Sequence, residues 1–145
     1  MGQAAKPVVV GVDGSATSVE ALKEAGHMAA LLGAPLRVVA AWHWSVVAAA
    51  VPAPDAQDFR GRAQEAVDQA ITAAFGDDVP AGLERVVREG PPAQVLRDLS
   101  KDASLVVVGN RGHGGFAGLL LGSVSSAVAA HAHCSVLITH KPAGA

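Results

Sequence analysis

A glycine-rich segment carries the strongest chemical signal in the chain. Gly109-Asn110-Arg111-Gly112 is followed, after nine intervening residues, by Gly122-Ser123. Glycines allow a ligand to approach the backbone closely and permit positive φ, so that successive N–H groups can converge on one anion. A helix that begins here would add unpaired N–H donors and the positive end of its dipole. The segment therefore predicts a phosphate site, in which the Ser123 hydroxyl either caps the helix or binds a phosphate oxygen.

The charges near this segment favour a nucleotide that arrives with a metal ion. Arg111 is a nearby cation, and no lysine lies between Lys101 and Lys141, so the segment is not a Walker-type loop. Because Arg111 cannot by itself neutralise the negative charge of a triphosphate, we expect Mg²⁺ or Mn²⁺ to bridge the phosphates. Asp13 ends an earlier apolar run and is a candidate ligand for that metal or for ribose hydroxyls. Alternatively, Asp13 only caps the helix that follows it.

Other residues with chemical potential are interpreted as structural. His131 and His133 are too few for a metal site, and residues two apart do not share a helical face. Trp42 and Trp44 are expected to pack in the core or at its rim, and Cys134 is expected to be a small buried hydrophobe.

Strand and helix signals alternate along the chain and define the elements that must position these residues. Four short apolar runs and a more amphipathic run at residues 83–88 predict five strands, and apolar residues at helical spacing predict four helices between them. Ser15, Thr17 and Ser18 are candidate N-caps of the first helix, and Thr17 and Glu20 have the spacing of a capping box. Gly33, followed by Pro35, is expected to end this helix. The predicted strands cover residues 7–12, 36–42, 83–88, 105–108 and 136–139, and the last helix covers residues 122–133. This alternation predicts an α/β three-layer sandwich, in which ligands bind beyond the carboxyl ends of the strands.

Composition bounds the class of protein. The 145 residues predict one domain with an ordered core over about residues 7–140. Half of the residues are hydrophobic and the net charge is −2, which argues against disorder and against nucleic acid as the main partner. The single cysteine fits a reducing compartment, and the apolar runs are shorter than a membrane span. We therefore expect a cytoplasmic protein with no membrane partner.

The chain resembles the universal stress protein family, in its nucleotide-binding branch. The spacing of Gly109, Gly112 and Gly122-Ser123 is similar to the G-x2-G-x9-G-[ST] signature of that branch. Further similarities lie in residues 9–15, 87–92 and 135–138, so the resemblance runs over nearly the whole chain. It implies an open five-stranded parallel sheet of order 3-2-1-4-5, of the Rossmann-like adenine nucleotide alpha hydrolase type. That order would bring Asp13 beside the glycine-rich segment.

The resemblance also implies a ligand, its contacts and an assembly. The ligand would be ATP with Mg²⁺ or Mn²⁺, with Asp13 as the candidate metal ligand and Ala41 contacting adenine through its main chain. The nucleotide-binding residues would be Val12, Asp13, Ala41, Val108, Gly109, Arg111, Gly112, Gly122, Ser123 and Val124. The last strand has an apolar edge that invites pairing. A homodimer through Val136–Thr139 is therefore expected.

These features predict a nucleotide-dependent regulator or sensor of the stress response rather than an enzyme. No set of nucleophile, base and orienting group can be assembled, so at most slow ATP hydrolysis is expected. One alternative is an ATP-pyrophosphatase or nucleotidyltransferase-like enzyme on a related fold, although the turn Asp13-Gly14-Ser15-Ala16 differs from the Ser-Gly-Gly type of the former. The other alternative is an interaction dimer that binds no nucleotide.

Overall fold

The computed structural model describes residues 5–43, 56–111 and 121–140, and in these ranges strands and helices alternate. The strands are β1 (Val8–Gly11), β2 (Leu36–Trp42), β3 (Glu84–Glu89), β4 (Leu105–Gly109) and β5 (Ser135–Thr139). The helices are α1 (Ala16–Leu32), α2 (Ala56–Phe75), α3 (Pro92–Ser100) and α4 (Ser123–His131). Every predicted strand is present and its ends agree to within one residue. Trp44 and Gly112 lie outside the described residues.

The five strands form one parallel sheet in the order β3-β2-β1-β4-β5, which confirms the expected topology. β1 lies at the centre, and Val8, Val9 and Val10 are fully buried. A strand that is covered on both faces has no solvent side, so its residues are apolar throughout rather than alternating. The order of the strands reverses between β1 and β4, which places a crevice at the carboxyl ends of these two strands.

Helices cover both faces of the sheet and confirm the three-layer sandwich. On one face, Leu22 of α1 and Val67 of α2 pack in a core with Val10 of β1. On the other face, Leu96 of α3 and Val128 of α4 pack in a second core that contains Val9 of β1. The central strand therefore contributes alternate residues to two separate cores.

At the start of α1, one of the candidate N-caps is confirmed and the capping box is not. Ser15 is the N-cap residue and its hydroxyl accepts a hydrogen bond from the Ser18 N–H at 3.2 Å. The predicted capping box of Thr17 and Glu20 is wrong, because α1 begins at Ala16 and Thr17 is already its second helical residue. The predicted end is confirmed, since Gly33 adopts the left-handed conformation with φ of 62°.

The end of α4 also differs from the prediction. The helix ends at His131 rather than at residue 133, because Ala132 has an extended conformation with ψ of 153°. His133 therefore lies in the turn before β5 and not on the helix. The two histidines consequently are not held to the geometry of a single helical face.

Candidate functional site

The pairing of the strands places the ends of β1 and β4 at nearly the same level, whereas β2 continues for three residues beyond the residue that pairs with Gly11. Val10 is paired with Val107, and Gly11 is paired with Val39. The Val12 N–H continues this ladder and donates to the Val39 carbonyl at 2.8 Å. The residue that follows, Asp13, thus leaves the sheet at the crevice between β1 and β4.

The first turn of α4 has no side-chain cap. Gly122 is the N-cap residue, with extended backbone and φ of −73°, and it offers no side chain to the amides of the first turn. The expectation that Ser123 caps this helix is wrong, because Ser123 is already the first helical residue and is exposed. The start of α4 is therefore a set of N–H donors that lacks an internal side-chain acceptor at the cap.

Ser125 fixes the start of α4 to the end of β4. The side chain is buried, and its hydroxyl lies 3.1 Å from the carbonyl oxygens of both Asn110 and Gly122, to which it can donate. The Gly122 N–H donates to the same Asn110 carbonyl at 2.6 Å. Asn110, directly after β4, thus anchors the chain where it returns as α4. From the sequence, Ser125 is interpreted as a solvent-facing or packing residue rather than a ligand, and only its position one turn after Gly122 indicates this contact.

Asp13 caps the turn before α1. Its Oδ1 accepts a hydrogen bond from the Ser15 N–H at 2.9 Å, and its own N–H lies 3.4 Å from the Ser18 hydroxyl. This is the local pattern that aspartate favours in turns. The residue is also exposed at the crevice, so its carboxylate combines a capping contact with access to solvent.

Gly109 has a packing reason to be glycine. A Cβ at this position would lie 2.6 Å from Thr17 Cγ2 and 3.1 Å from the Thr17 carbonyl oxygen. The first turn of α1 therefore packs directly against the end of β4. Gly14 has a conformational reason instead, since its φ of 87° lies in the left-handed region.

The remaining predicted residues differ in accessibility. Val12 and Val108 are buried, Ala41 and Val124 are partly buried, and Arg111 is exposed. Thr139 lies opposite Gly109 in the pairing of β4 and β5. In the described part of the chain, Thr139 Oγ1 is a buried oxygen without a hydrogen-bond partner. The carboxyl edge of the sheet therefore has an unsatisfied hydroxyl next to the glycine-rich segment.

Other candidate chemistry lies away from the crevice. Cys134 precedes β5, and burial raises the pKa of its thiol, which makes it a poor nucleophile at neutral pH. The residues described contain no group of three or more side chains that could hold a metal ion. None of the helices in the described ranges is both long and apolar enough to cross a bilayer.

The chain matches known proteins over nearly its full length. A sequence profile of the universal stress protein family matches residues 4–140. The universal stress protein Rv2623 of Mycobacterium tuberculosis is 37% identical over 147 residues, which cover 96% of this chain and 49% of that protein. This chain thus spans about half the length of the curated relatives that it matches.

Solved structures show the same fold. A universal stress protein in complex with cAMP has a TM-score of 0.71 and 30% identity, with 97% of this chain and all of that chain covered. The universal stress protein UspA of Lactobacillus plantarum has a TM-score of 0.73 and 23% identity, with 94% and 99% covered. The profile, the relatives and the shared Rossmann-like fold together establish that this chain belongs to the universal stress protein family.

Proposed function

We propose that this protein binds an adenine nucleotide, with ATP as the leading candidate, in the crevice between β1 and β4. The observation that carries the proposal is the start of α4, where Gly122 leaves the first-turn amides without a side-chain cap. α1 begins in the same crevice, but Ser15 already caps it. An anion would therefore be attracted to α4 rather than to α1. The relative solved with cAMP, which is 30% identical, supports a nucleotide of this class.

The predicted residues would divide the work between phosphates, ribose and base. The amides of Ser123 and Val124 and the glycine-rich segment would bind phosphate, while Ala41 would contact adenine through its main chain. Ser125 would position the phosphate site by fixing α4 to Asn110. The proposed contact residues are Val12, Asp13, Ala41, Val108, Gly109, Arg111, Gly112, Gly122, Ser123 and Val124.

A divalent cation fits this arrangement. Mg²⁺ prefers carboxylate and phosphate oxygens, and the Asp13 carboxylate is exposed where the phosphates would approach. Asp13 would hold Mg²⁺ or Mn²⁺ together with the phosphates, and the ion would neutralise charge that Arg111 alone leaves. We propose that the protein is a nucleotide-dependent regulator or sensor of the stress response, with at most slow ATP hydrolysis, in the cytoplasm.

We also propose a homodimer through β5. β5 is an outer strand of the sheet, and its partner on the inner side is β4. The Thr139 carbonyl accepts from the Asn110 N–H, so residues 135, 137 and 139 direct their own N–H and C=O groups toward β4. The N–H and C=O groups of Val136 and Ile138 then point to the free edge, because these groups alternate between the two edges from one residue to the next. A second copy could pair with this edge and cover it.

Calorimetric titration tests the nucleotide site. ATP is titrated with and without Mg²⁺ into wild type stripped of carried-over nucleotide and into Gly122→Val. Valine adopts the φ of −73° found at this position, but its branched side chain blocks approach of a phosphate. Gly61→Val is the matched control, because a side chain at this exposed site on α2 meets nothing within 4 Å.

We expect wild type and Gly61→Val to bind ATP more tightly with Mg²⁺, and folded Gly122→Val to lose binding. Absence of binding by stripped wild type would contradict the proposal and favour the interaction dimer. Rapid release of pyrophosphate would favour the ATP-pyrophosphatase alternative instead.

A further inference from the structure

A groove of about 400 Å³ lies between α3 and α4. Helices of a parallel α/β sheet run antiparallel to the strands, so both helices end near the amino ends of β4 and β5. The polar residues of the groove lie mainly at these helix ends: Arg97 in the last turn of α3, Lys101 as its C-cap residue, and His131 as the last residue of α4. The polar part of the groove is therefore at the opposite edge of the sheet from the nucleotide crevice.

The α3 side of the groove is positively charged. Arg97, Lys101 and Asp98 line this side, so it contains two cations and one carboxylate. Its net charge is therefore about +1, whereas the whole chain has a net charge of −2. Within the described ranges, none of these three side chains takes part in an ion pair. The two cations therefore remain available to an anion from outside the chain.

The opposite side of the groove presents two imidazoles. His131 is the last residue of α4, and His133 reaches the same groove because the chain turns at Ala132. A buried hydroxyl holds this turn, since Ser100 Oγ accepts from the His133 N–H at 2.9 Å and donates to the Arg97 carbonyl at 2.5 Å. Ser100 is 1% exposed. The backbone of the histidine turn is thus fixed relative to the last turn of α3.

We infer that this groove binds a small organic anion with a phosphate or carboxylate group. The anionic group would lie between Arg97 and Lys101 on one side and the imidazole N–H donors on the other. The Ala93 and Ala127 methyl groups provide an apolar surface for the body of the ligand. The volume falls at the lower end of the range of small-molecule sites.

The affinity should be modest. Both helices end at the groove, and the partial negative charge of their carbonyl ends opposes an anion. A ligand of about ten heavy atoms at ordinary efficiency gives a Kd on the order of 1 mM. Binding at this strength can be followed residue by residue with amide NMR spectra of the full chain.

The experiment uses phenyl phosphate as the probe, with inorganic phosphate, phenol and hexaglutamate for comparison. Wild type is compared with the double variant Arg97→Gln/Lys101→Gln. The matched control is Arg60→Gln/Arg62→Gln, which removes the same charge from exposed positions on α2, on the other face of the sheet. All four substituted side chains are exposed, so the variants should fold as wild type does.

We expect phenyl phosphate to cause saturable shifts at amides of residues 93–101 and 127–133, with inorganic phosphate weaker and phenol inactive. The groove variant should bind at least about tenfold more weakly, as loss of one charge-assisted hydrogen bond predicts, while the control binds as wild type does. These shifts are separate from those of residues 12–13 and 122–124, so the result does not depend on the nucleotide site.

The inference would be overturned by the absence of saturable shifts in the groove, or by equal weakening of binding in both double variants. Two results with the other probes would also overturn it. One is binding of phenol as tight as that of phenyl phosphate, which would make the groove an apolar site. The other is binding of hexaglutamate without binding of phenyl phosphate, which would make the groove a surface for an acidic protein partner.

Discussion

Replacing Gly109 by alanine should destabilise the protein even when no nucleotide is present. The new methyl carbon would lie 2.6 Å from Thr17 Cγ2, 3.1 Å from the Thr17 carbonyl oxygen and 3.3 Å from the Thr17 carbonyl carbon. Ordinary van der Waals contacts begin at 3.4 Å, so all three contacts are too close. The first turn of α1 must therefore move away from β4, or β4 must move away from α1.

The size of the effect follows from which atoms are displaced. Overpacking in a well-packed region costs about 1–3 kcal/mol. Two of the three close atoms belong to the backbone of α1, which cannot move without shifting a helical turn. We therefore expect a loss of about 2 kcal/mol in the free energy of unfolding. For a chain of 145 residues this corresponds to a fall in Tm of about 6 °C.

Urea denaturation followed by circular dichroism measures this loss as a lower midpoint at unchanged m value. Adding Thr17→Ser removes the methyl group at 2.6 Å and should recover part of the stability, while the backbone contact at 3.1 Å keeps the recovery incomplete. Gly61→Ala is the control, because this exposed helical position is open within 4 Å and alanine should stabilise it by about 0.5–1 kcal/mol.

A Gly109→Ala variant that is as stable as wild type would contradict this expectation. The glycine would then serve only the approach of a ligand, and the loss would appear in nucleotide affinity alone.

Three further variants test other parts of the structure. Ser125→Ala should lower the free energy of unfolding by about 1–2 kcal/mol and weaken ATP binding in calorimetry, because the Ser125 hydroxyl contacts two carbonyl oxygens. Equal effects from a Ser126→Ala substitution, at an exposed position, would contradict this. Val136→Pro should give a folded monomer in light scattering, whereas Leu137→Pro should unfold the edge of the sheet; a dimer that survives Val136→Pro would rule out pairing through β5. Burial raises the pKa of the Cys134 thiol, so the thiol of the unfolded chain loses its proton at a lower pH than that of the folded protein. The free energy of unfolding should therefore fall as the pH rises above about 9. An identical pH dependence in Cys134→Ala would exclude this contribution.

The helices and strands of this fold could be predicted from local patterns in the sequence. The central strands β1 and β4 are short apolar runs because most of their residues are buried between two layers of helices, as Val8–Val10 and Val106–Val107 are. The left-handed Gly33 ends α1 where its position predicts. These signals could be read because each depends on burial or on backbone conformation within a few residues. The glycine-rich segment likewise indicated an anion site, since its residues are close together in the chain.

Local pattern did not determine the strand order, which came from the family resemblance and which the structure confirms. It also did not show that Ser15 caps α1 or that Gly122 rather than Ser123 caps α4, because several neighbouring residues could have served. The candidate residues were expected at the carboxyl edge of the sheet, and the structure brings the ends of β1 and β4 together at that edge. Local pattern did not show that the first-turn N–H groups of α1 have a side-chain cap whereas those of α4 have none.

The contacts between distant parts of the chain could be known only from the folded structure. Gly109 is glycine in part because Thr17 packs against it, and no pattern within β4 reports a helix that begins ninety residues earlier. Arg97, Lys101 and the two histidines share one groove because Ser100 holds the turn at His133, although residues two apart cannot share a helical face. Local patterns record burial and backbone preference, whereas such juxtapositions arise only when the layers pack together.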